Sequence, residues 1–93
     1  MALLRVQLED NRYTDFDLEN ARTSIGRRDD NDIIISNASV SNHHAHLNFE
    51  KNYFLTDLRS SNGTYINGKK IFHVKLTDGD VINFAGVNAT FYS

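Results

Sequence analysis

The sequence contains no cysteine and no proline, and no apolar run approaches the roughly 20 residues of a membrane-spanning helix. Without cysteine there are no disulfides and no thiol catalysis, and a reducing compartment is compatible. No secretory signal is visible, because Arg5 interrupts the short apolar start of the chain. These absences predict an intracellular protein, cytoplasmic or nuclear, that has no membrane partner.

The size and charge of the chain are those of one small folded domain. Its 93 residues suffice for one hydrophobic core but not two. A hydrophobic content of 40% and a charged content of 24% are typical of globular rather than disordered chains. The net charge of −2 argues against a nucleic-acid partner. We expect residues 1–93 to form a single domain. Because the chain stops directly after a strand pattern, we interpret it as a domain excised from a longer protein, with a stand-alone adaptor as the alternative.

Apolar residues recur with a period of two rather than 3.6, which is typical of strands with one buried face. The clearest sets are Ala2, Leu4, Val6 and Leu8; Ala45, Leu47 and Phe49; and Ile82 with Phe84. The β-branched run Ile33-Ile34-Ile35 is interpreted as a short core strand. Asn67-Gly68 predicts a tight hairpin. Together these patterns predict an all-β sandwich of two sheets with nine to eleven short strands.

Three polar clusters interrupt the strand patterns: Gly26-Arg27, Ser41-Asn42-His43-His44 and Ser60-Ser61-Asn62-Gly63-Thr64. They supply a guanidinium, several hydroxyls and two amides, which suit an anion with several oxygens, such as a phosphate on a peptide. Each cluster follows a predicted strand, and the loops of a sandwich collect at its two ends. If the three clusters meet at one end, their polar groups converge on one site.

The histidines and serines allow two other interpretations. If Ala45 lies in a strand, His44 and His46 share one face, and two imidazoles can hold zinc or copper. No cysteine or obvious carboxylate cluster completes such a site, so we expect no metal and no cofactor, and a loop-bracing role for His44. Ser41 and His44 could form a catalytic pair, but their spacing within a loop is no evidence of hydrogen-bonded geometry. We therefore expect no enzymatic activity.

The clusters, in their order and spacing, resemble those of a forkhead-associated (FHA) domain. The resemblance rests on Ser24-Ile25-Gly26-Arg27, Asp32-Ile33-Ile34-Ile35, Val40-Ser41-Asn42-His43-His44-Ala45, residues 55–68 and residues 76–82, and it covers about residues 3–92. It implies an eleven-stranded β-sandwich that binds phosphothreonine peptides through loops at one end. It also implies that the domain is not an enzyme.

The resemblance assigns roles to individual residues. Arg27 and Ser41 would contact the phosphate, and Ser61 falls where a threonine or serine often touches it. Asn42, where many members have arginine, would bind the peptide backbone or support the phosphate, so affinity would depend more heavily on Arg27. Asn62 would hold the peptide main chain, although an asparagine before glycine can instead be a turn residue. The positions matching structural support are Gly26, His44 and Gly63.

The sequence therefore predicts a phosphothreonine-dependent binding module in Ser/Thr-kinase signalling. Its partner would be a phosphothreonine-containing protein or peptide, and the oligomeric state is left open. Residues 36–40 and 59–61 are the candidates for selecting the side chain three positions after the phosphothreonine. The alternative is a phosphate-independent interaction scaffold that binds its partner through a sheet face.

Overall fold

Eleven short strands in two sheets make up the secondary structure of residues 2–93, the part of the chain that the computed structural model describes. The first sheet has the order β2-β1-β11-β10-β7-β8. Its strands are β1 (Leu3–Gln7), β2 (Tyr13–Asp17), β7 (Thr64–Ile66), β8 (Lys69–Lys70), β10 (Val81–Phe84) and β11 (Val87–Tyr92). The second sheet has the order β4-β3-β5-β6-β9. Its strands are β3 (Arg22–Gly26), β4 (Ile33–Ile34), β5 (Ala45–Glu50), β6 (Asn52–Asp57) and β9 (His73–Lys75).

The predicted all-β sandwich of two sheets is confirmed. All strand pairs are antiparallel except β3 with β4, which is parallel. Residues 2–93 contain no helix that is long and apolar enough to cross a membrane.

The hydrophobic core lies between the two sheets because strand alternation turns one face of each sheet inward. Its largest fully buried apolar side chains are Leu4, Ile25, Ile33, Leu47, Leu55, Ile82, Phe84 and Phe91. Burying one such side chain stabilises the fold by about 1.5–3 kcal/mol relative to leaving it exposed. Packing of the two sheets against this core therefore fixes the positions at which the loops leave the strands.

The burial pattern departs from the prediction at three apolar residues. Leu8 is 40% exposed, because β1 ends one residue earlier and the chain turns there. Phe49 is 46% exposed, because it lies beside the β5–β6 turn at Lys51 and its ring packs on Tyr53. Ile34 is 45% exposed, so the prediction that Ile33-Ile34-Ile35 forms a continuous core strand is wrong. Because side chains alternate along a strand, only Ile33 and Ile35 face the core.

The hairpin prediction is confirmed, since Asn67 and Gly68 join β7 to β8 with φ values of 50° and 86°. Two positive φ values in succession define the turn that matches the twist of a hairpin. Ala85 and Gly86, with φ values of 52° and 99°, form the same kind of connection between β10 and β11.

Strand register collects the polar loops at one end of the sandwich. In the second sheet, Ala45 at the start of β5 pairs with Ile25 near the end of β3 and with Asp57 at the end of β6. In the first sheet, Thr64 at the start of β7 pairs with Phe84 at the end of β10. The β3–β4 loop (27–32), the β4–β5 loop (35–44) and the β6–β7 loop (58–63) therefore leave the sandwich together, at what we call the loop end.

Two adjacent isoleucines provide a test of this architecture. Ile33 is 1% exposed and Ile34 is 45% exposed. Replacing Ile33 with alanine should lower the free energy of unfolding by about 2–5 kcal/mol, because a buried cavity is left. The same replacement at Ile34 should cost less than about 1 kcal/mol. Urea unfolding followed by circular dichroism measures both, and equal losses would contradict the observed alternation.

Candidate functional site

Backbone hydrogen bonds bind the first two loops of the loop end side by side. The N–H of Arg27 donates to the carbonyl of Ser41 at 3.0 Å, and the N–H of Arg28 donates to the carbonyl of Asn42 at 3.3 Å. The N–H of Ile35 donates to the carbonyl of Gly26 at 2.9 Å. The first two sequence clusters are thus one continuous backbone surface.

The β6–β7 loop is attached to the same surface by two hydrogen bonds. The N–H of Ser61 donates to Oγ of Ser41 at 3.0 Å. The Nδ2 group of Asn62 donates to the carbonyl of Ser39 at 2.8 Å. All three polar clusters therefore meet at one end of the sandwich, which is the condition that the sequence analysis sets for a shared site.

Arg27 is exposed and held in a fixed direction. Its Nε donates to the carbonyl of Val40 at 3.0 Å, and within residues 2–93 it forms no ion pair. Asp30, in the same loop as Arg27, contacts two other basic side chains. Its carboxylate lies 3.2 Å from Nε2 of His43 and 3.8 Å from Nε of Arg28. Hydrogen bonding from His43 is the main reason that the pKa of Asp30 is lowered. Asp30 is thus partnered by other residues, and the Nη groups of Arg27 stay available to a ligand.

The hydroxyl of Ser41 is half-buried and has a defined role in the loop contacts. Its oxygen already accepts the Ser61 N–H, so its own proton remains free to donate to an anion. A guanidinium on the β3–β4 loop and a donor hydroxyl on the β4–β5 loop suit the terminal oxygens of a phosphate.

His44 lies beneath these loops with none of its surface exposed. Its Nε2 is 2.9 Å from the carbonyl of Gly63, and its Nδ1 accepts the N–H of Ser41 at 3.1 Å. Because a carbonyl can only accept, Nε2 carries the proton and the ring is neutral. The edge of the ring packs against Phe84, with centroids 5.8 Å apart. One imidazole therefore joins two of the site loops to the core.

Burial lowers the pKa of His44, and the Gly63 carbonyl and the Asp57 carboxylate only partly oppose that shift. A proton on Nδ1 would also face the Ser41 N–H, so protonation breaks this hydrogen bond. The loop geometry consequently depends on a neutral ring.

Asp57 is a supporting residue that the sequence analysis does not identify. Its Oδ1 accepts from Oγ of Ser60 at 2.6 Å and from Oγ1 of Thr64 at 2.7 Å, and its Oδ2 accepts the Ser60 N–H at 3.1 Å. Burial alone would raise the pKa of Asp57, but the hydrogen bonds from Ser60 and Thr64 lower it overall. The spacing Asp-x-x-Ser at a strand end, which is typical of side-chain-capped turns, is the signal that could have revealed it.

Two glycines permit the loop backbone to approach closely. A Cβ at Gly26 would overlap the carbonyl of Asn42 and lie 2.8 Å from Nδ2 of Asn31. Gly63 has a φ of 86°, and its N–H donates to Oγ of Ser60 at 3.0 Å. Both positions therefore suit the supporting role that the family resemblance implies.

Asn31 is a second supporting residue that sequence patterns do not reveal. It is 7% exposed, and its Nδ2 donates to the carbonyls of Arg28 and Asn42, each at 2.8 Å. Its partners come from two separate loops, so only the folded chain brings them together. The side chain of Asn42, in contrast, is exposed at the rim of the site.

The expectation that His44 and His46 share one face is wrong. His44 precedes β5 and contacts the core residue Phe84, whereas His46 lies within β5 in a row with Ser24 and Thr56. Among residues 2–93, no three His, Asp or Glu side chains are grouped so that they could hold a metal ion.

A two-sheet β-sandwich whose three polar loops are hydrogen-bonded to one another at one end is the architecture of a loop-based binding domain. Comparison with known proteins identifies the family: the family model described as FHA domain matches residues 23–85. The chain belongs to the FHA domain family.

Two of the sequence relatives are regulators from Mycobacterium tuberculosis. The transcriptional regulatory protein EmbR is 44% identical over 78 residues, which is 82% of this chain and 20% of EmbR. The glycogen accumulation regulator GarA is 36% identical over 91 residues, covering 97% of this chain and 56% of GarA. The chain thus spans about a fifth of EmbR and just over half of GarA.

Solved structures share the whole fold. EmbR from Mycobacterium tuberculosis in complex with a low-affinity phosphopeptide superposes with a TM-score of 0.83 at 38% identity, covering 97% of this chain and 24% of that one. A structure from a study of phosphothreonine-dependent FHA domain interactions superposes with a TM-score of 0.88 at 26% identity and covers 99% of this chain and 95% of that one.

The role of His44 predicts a pH dependence. Because its folded-state pKa is lowered, the unfolded chain binds a proton first as the pH falls below the ordinary histidine value of about 6.5. The contribution of His44 to the free energy of unfolding should therefore be fully present above that pH and decrease below it. For this one group the slope is at most about 1.4 kcal/mol per pH unit. An NMR titration of the imidazole rings should give His44 a midpoint below about 6.5; a midpoint at or above that value would contradict the buried neutral ring.

Glutamine variants of His44 and His46 separate the contribution of His44 to the pH dependence of unfolding from that of other groups. The pKa of His46 is also lowered, first by burial and then by nearby Arg22 and His73, but its ring joins no site loops. His44→Gln should flatten the pH dependence of unfolding, while His46→Gln should retain most of it. The lowered pKa of Asp57 makes the free energy of unfolding depend on pH only below about pH 4, well below the range near pH 6.5 in which the histidine variants are compared.

Proposed function

We propose that this domain binds phosphothreonine-containing proteins or peptides at its loop end, as a module of Ser/Thr-kinase signalling. The observation that carries the proposal is the convergence of Arg27, Ser41 and Ser61 through short hydrogen bonds between three loops. Phosphothreonine presents about −1.5 to −2 charges and three strong acceptor oxygens. A fixed guanidinium with a free donor hydroxyl beside it is complementary to such a group.

The phosphate contacts follow from which hydrogen-bonding groups remain available. Arg27 offers its Nη groups, since Nε is occupied by Val40. Ser41 offers its hydroxyl proton, since the oxygen accepts from Ser61. The backbone of Ser61 makes that contact, and its own hydroxyl is proposed as a third donor to the phosphate. Each charge-assisted hydrogen bond contributes roughly 1.5–3 kcal/mol, so two or three supply a large part of the about 8 kcal/mol that corresponds to micromolar binding.

Asn42 and Asn62 are proposed to hold the peptide main chain. The Nδ2 of Asn62 is used by the Ser39 carbonyl, so its Oδ1 is the atom offered to a peptide N–H. Asn42 is anchored through its carbonyl, and its exposed amide can both donate and accept. Gly26, His44 and Gly63 support the site from below without contacting the ligand.

The proposal makes the domain a binding module rather than an enzyme, without a cofactor and without nucleic acid or a membrane as partner. The relatives EmbR and GarA are named as regulators, which supports this assignment. An intracellular location, cytoplasmic or nuclear, agrees with a partner that is modified by a Ser/Thr kinase. A phosphate-independent scaffold is the alternative, and it would not require the oriented Arg27.

The decisive variant is Arg27→Ala. Loss of the guanidinium should weaken phosphothreonine-peptide binding by about 2–5 kcal/mol, roughly thirty-fold to several thousand-fold, because the phosphate loses its charged partner. Isothermal titration calorimetry with phosphorylated and unphosphorylated versions of one peptide measures the effect.

Arg28→Ala is the matched control, because Arg28 is also exposed and adjacent but lies near Asp30. This change should alter the affinity by less than about threefold, since exposed ion pairs are weak. If folded Arg27→Ala bound as tightly as the unmodified domain, phosphate recognition at this site would be refuted and the scaffold would be favoured.

The domain should prefer phosphothreonine to phosphoserine in otherwise identical peptides. The extra methyl group contributes about 0.8 kcal/mol when buried, and the stiffer χ1 of threonine loses less freedom on binding. Fluorescence anisotropy with the two peptides should show about a fourfold or larger difference in Kd. Equal affinities would rule out a methyl-binding niche at the loop end.

A further inference from the structure

A basic, exposed segment borders both sheets and lies outside the residues assigned to the phosphate site. Strand β8 is the last strand of the first sheet and β9 is the last strand of the second, so one edge of each sheet falls within residues 69–75. Within residues 2–93, the basic side chains of this segment form no ion pair. They are all exposed, and they are Lys69, Lys70, His73 and Lys75. We call residues 69–75 the basic edge.

The backbone of β9 has hydrogen-bonding groups that the sheet does not use. Phe72 and Leu76, on either side of the strand, direct hydrogen bonds of 2.7 and 2.8 Å to β6. Because alternate residues of a strand direct their N–H and C=O groups to opposite sides, those of His73 and Lys75 point away from β6. Among residues 2–93 no strand covers them, since β9 ends its sheet. This edge therefore offers the groups with which an added strand pairs.

The side chains of β9 form a charged row on the outer face of the second sheet. His73 and Lys75 are exposed, whereas Val74 between them packs against the core. The His73 ring is held in place, because its Nδ1 lies 2.8 Å from Oγ1 of Thr56 and its face stacks on Phe54 with centroids 5.4 Å apart. A strand added to β9 places every second side chain beside this row, where opposite charges are favourable. The row is therefore complementary to acidic residues spaced two apart.

Phe72 gives the basic edge an apolar contact. It is 69% exposed, more than any other large apolar side chain of residues 2–93, and it directly precedes β9. Lysines on an edge strand also prevent association between sheets, but that role does not require an exposed aromatic ring. Aromatic side chains are enriched where proteins bind partners, because each buries a large area. The ring, the charges and the free backbone together indicate an interaction surface.

We propose that the basic edge binds an extended, acidic segment of a partner protein, which adds to the second sheet as a strand beside β9. The segment has aspartate or glutamate at two positions spaced two apart, next to His73 and Lys75, and an apolar side chain that packs on Phe72. Charge complementarity selects this partner over a basic or neutral one. Because Arg27 and Ser41 take no part in the contact, it requires no phosphate on the partner.

The test begins with an immobilised library of unphosphorylated peptides of about nine residues, with glutamate fixed at two positions spaced two apart. The domain should be retained by this library and should enrich an apolar residue on one side of the glutamates. A library with lysine at the two fixed positions should not retain it. A selected peptide, measured by fluorescence anisotropy, should bind more weakly as the salt concentration rises, since exposed charges are screened.

Backbone measurements distinguish an added strand from a purely electrostatic contact. The amide protons of His73 and Lys75 should exchange at least about tenfold more slowly in the complex, because they gain backbone hydrogen bonds. Two versions of the selected peptide carry N-methyl groups at odd or at even positions. Only one version should keep its affinity, because only one set of peptide amides faces β9. Unchanged exchange of both protein amides would refute the added strand.

Variants locate the contact on the basic edge. Lys75→Glu should weaken binding of the selected peptide about tenfold, because a favourable cross-strand pair becomes a like-charge pair. Phe72→Ser should weaken it about fivefold through lost apolar contact. Lys51→Glu is the control for charge, because it makes the same change at the exposed β5–β6 turn. Tyr13→Ser is the control for an aromatic side chain, since Tyr13 is 59% exposed and lies in β2 at the far edge of the first sheet. Both controls should leave Kd within about twofold.

The outcomes separate this proposal from phosphothreonine binding. Arg27→Ala should bind the acidic peptide with unchanged affinity, whatever it does to a phosphopeptide. Equal retention by the glutamate and lysine libraries, or by neither, would refute the acidic segment while leaving phosphothreonine binding untouched. If the domain alone self-associates in sedimentation and Lys75→Glu abolishes that association, the occupant is a second copy and the proposed partner is wrong. Circular dichroism confirms that each variant is folded.

Discussion

The loop end depends on one neutral, buried imidazole. His44 accepts the Ser41 N–H and donates to the Gly63 carbonyl, so a single ring sets the distance between two loops that are separate in sequence. Because both of its nitrogens are used and its edge packs on Phe84, the ring has no freedom to adapt. The positions of the Ser41 hydroxyl and the Ser61 N–H follow from it. The geometry of the proposed phosphate site therefore depends on two hydrogen bonds inside the protein.

The proposed phosphate site depends on local charges rather than on the net charge of the chain. The chain has a net charge of −2, yet two carboxylates of the loop end are held by other residues: Asp57 by Ser60 and Thr64, and Asp30 by His43 and Arg28. Arg27 forms no ion pair within residues 2–93 and is oriented by a carbonyl rather than a carboxylate. In the proposed site, a phosphate would therefore meet a guanidinium that no ion pair occupies, together with neutral donors that carry no repulsive charge.

Local rules in the sequence determined the strands, the Asn67-Gly68 hairpin and the three polar clusters, because alternation and turn preference act between near neighbours. Family resemblance added the grouping of Arg27 with Ser41. Only the tertiary structure decided which residues support the site, since Asn31 bridges two loops and Asp57 joins the end of one strand to the start of another. It also decided that Ile34 faces outward. Such contacts depend on the register and packing of distant segments, which no local pattern specifies.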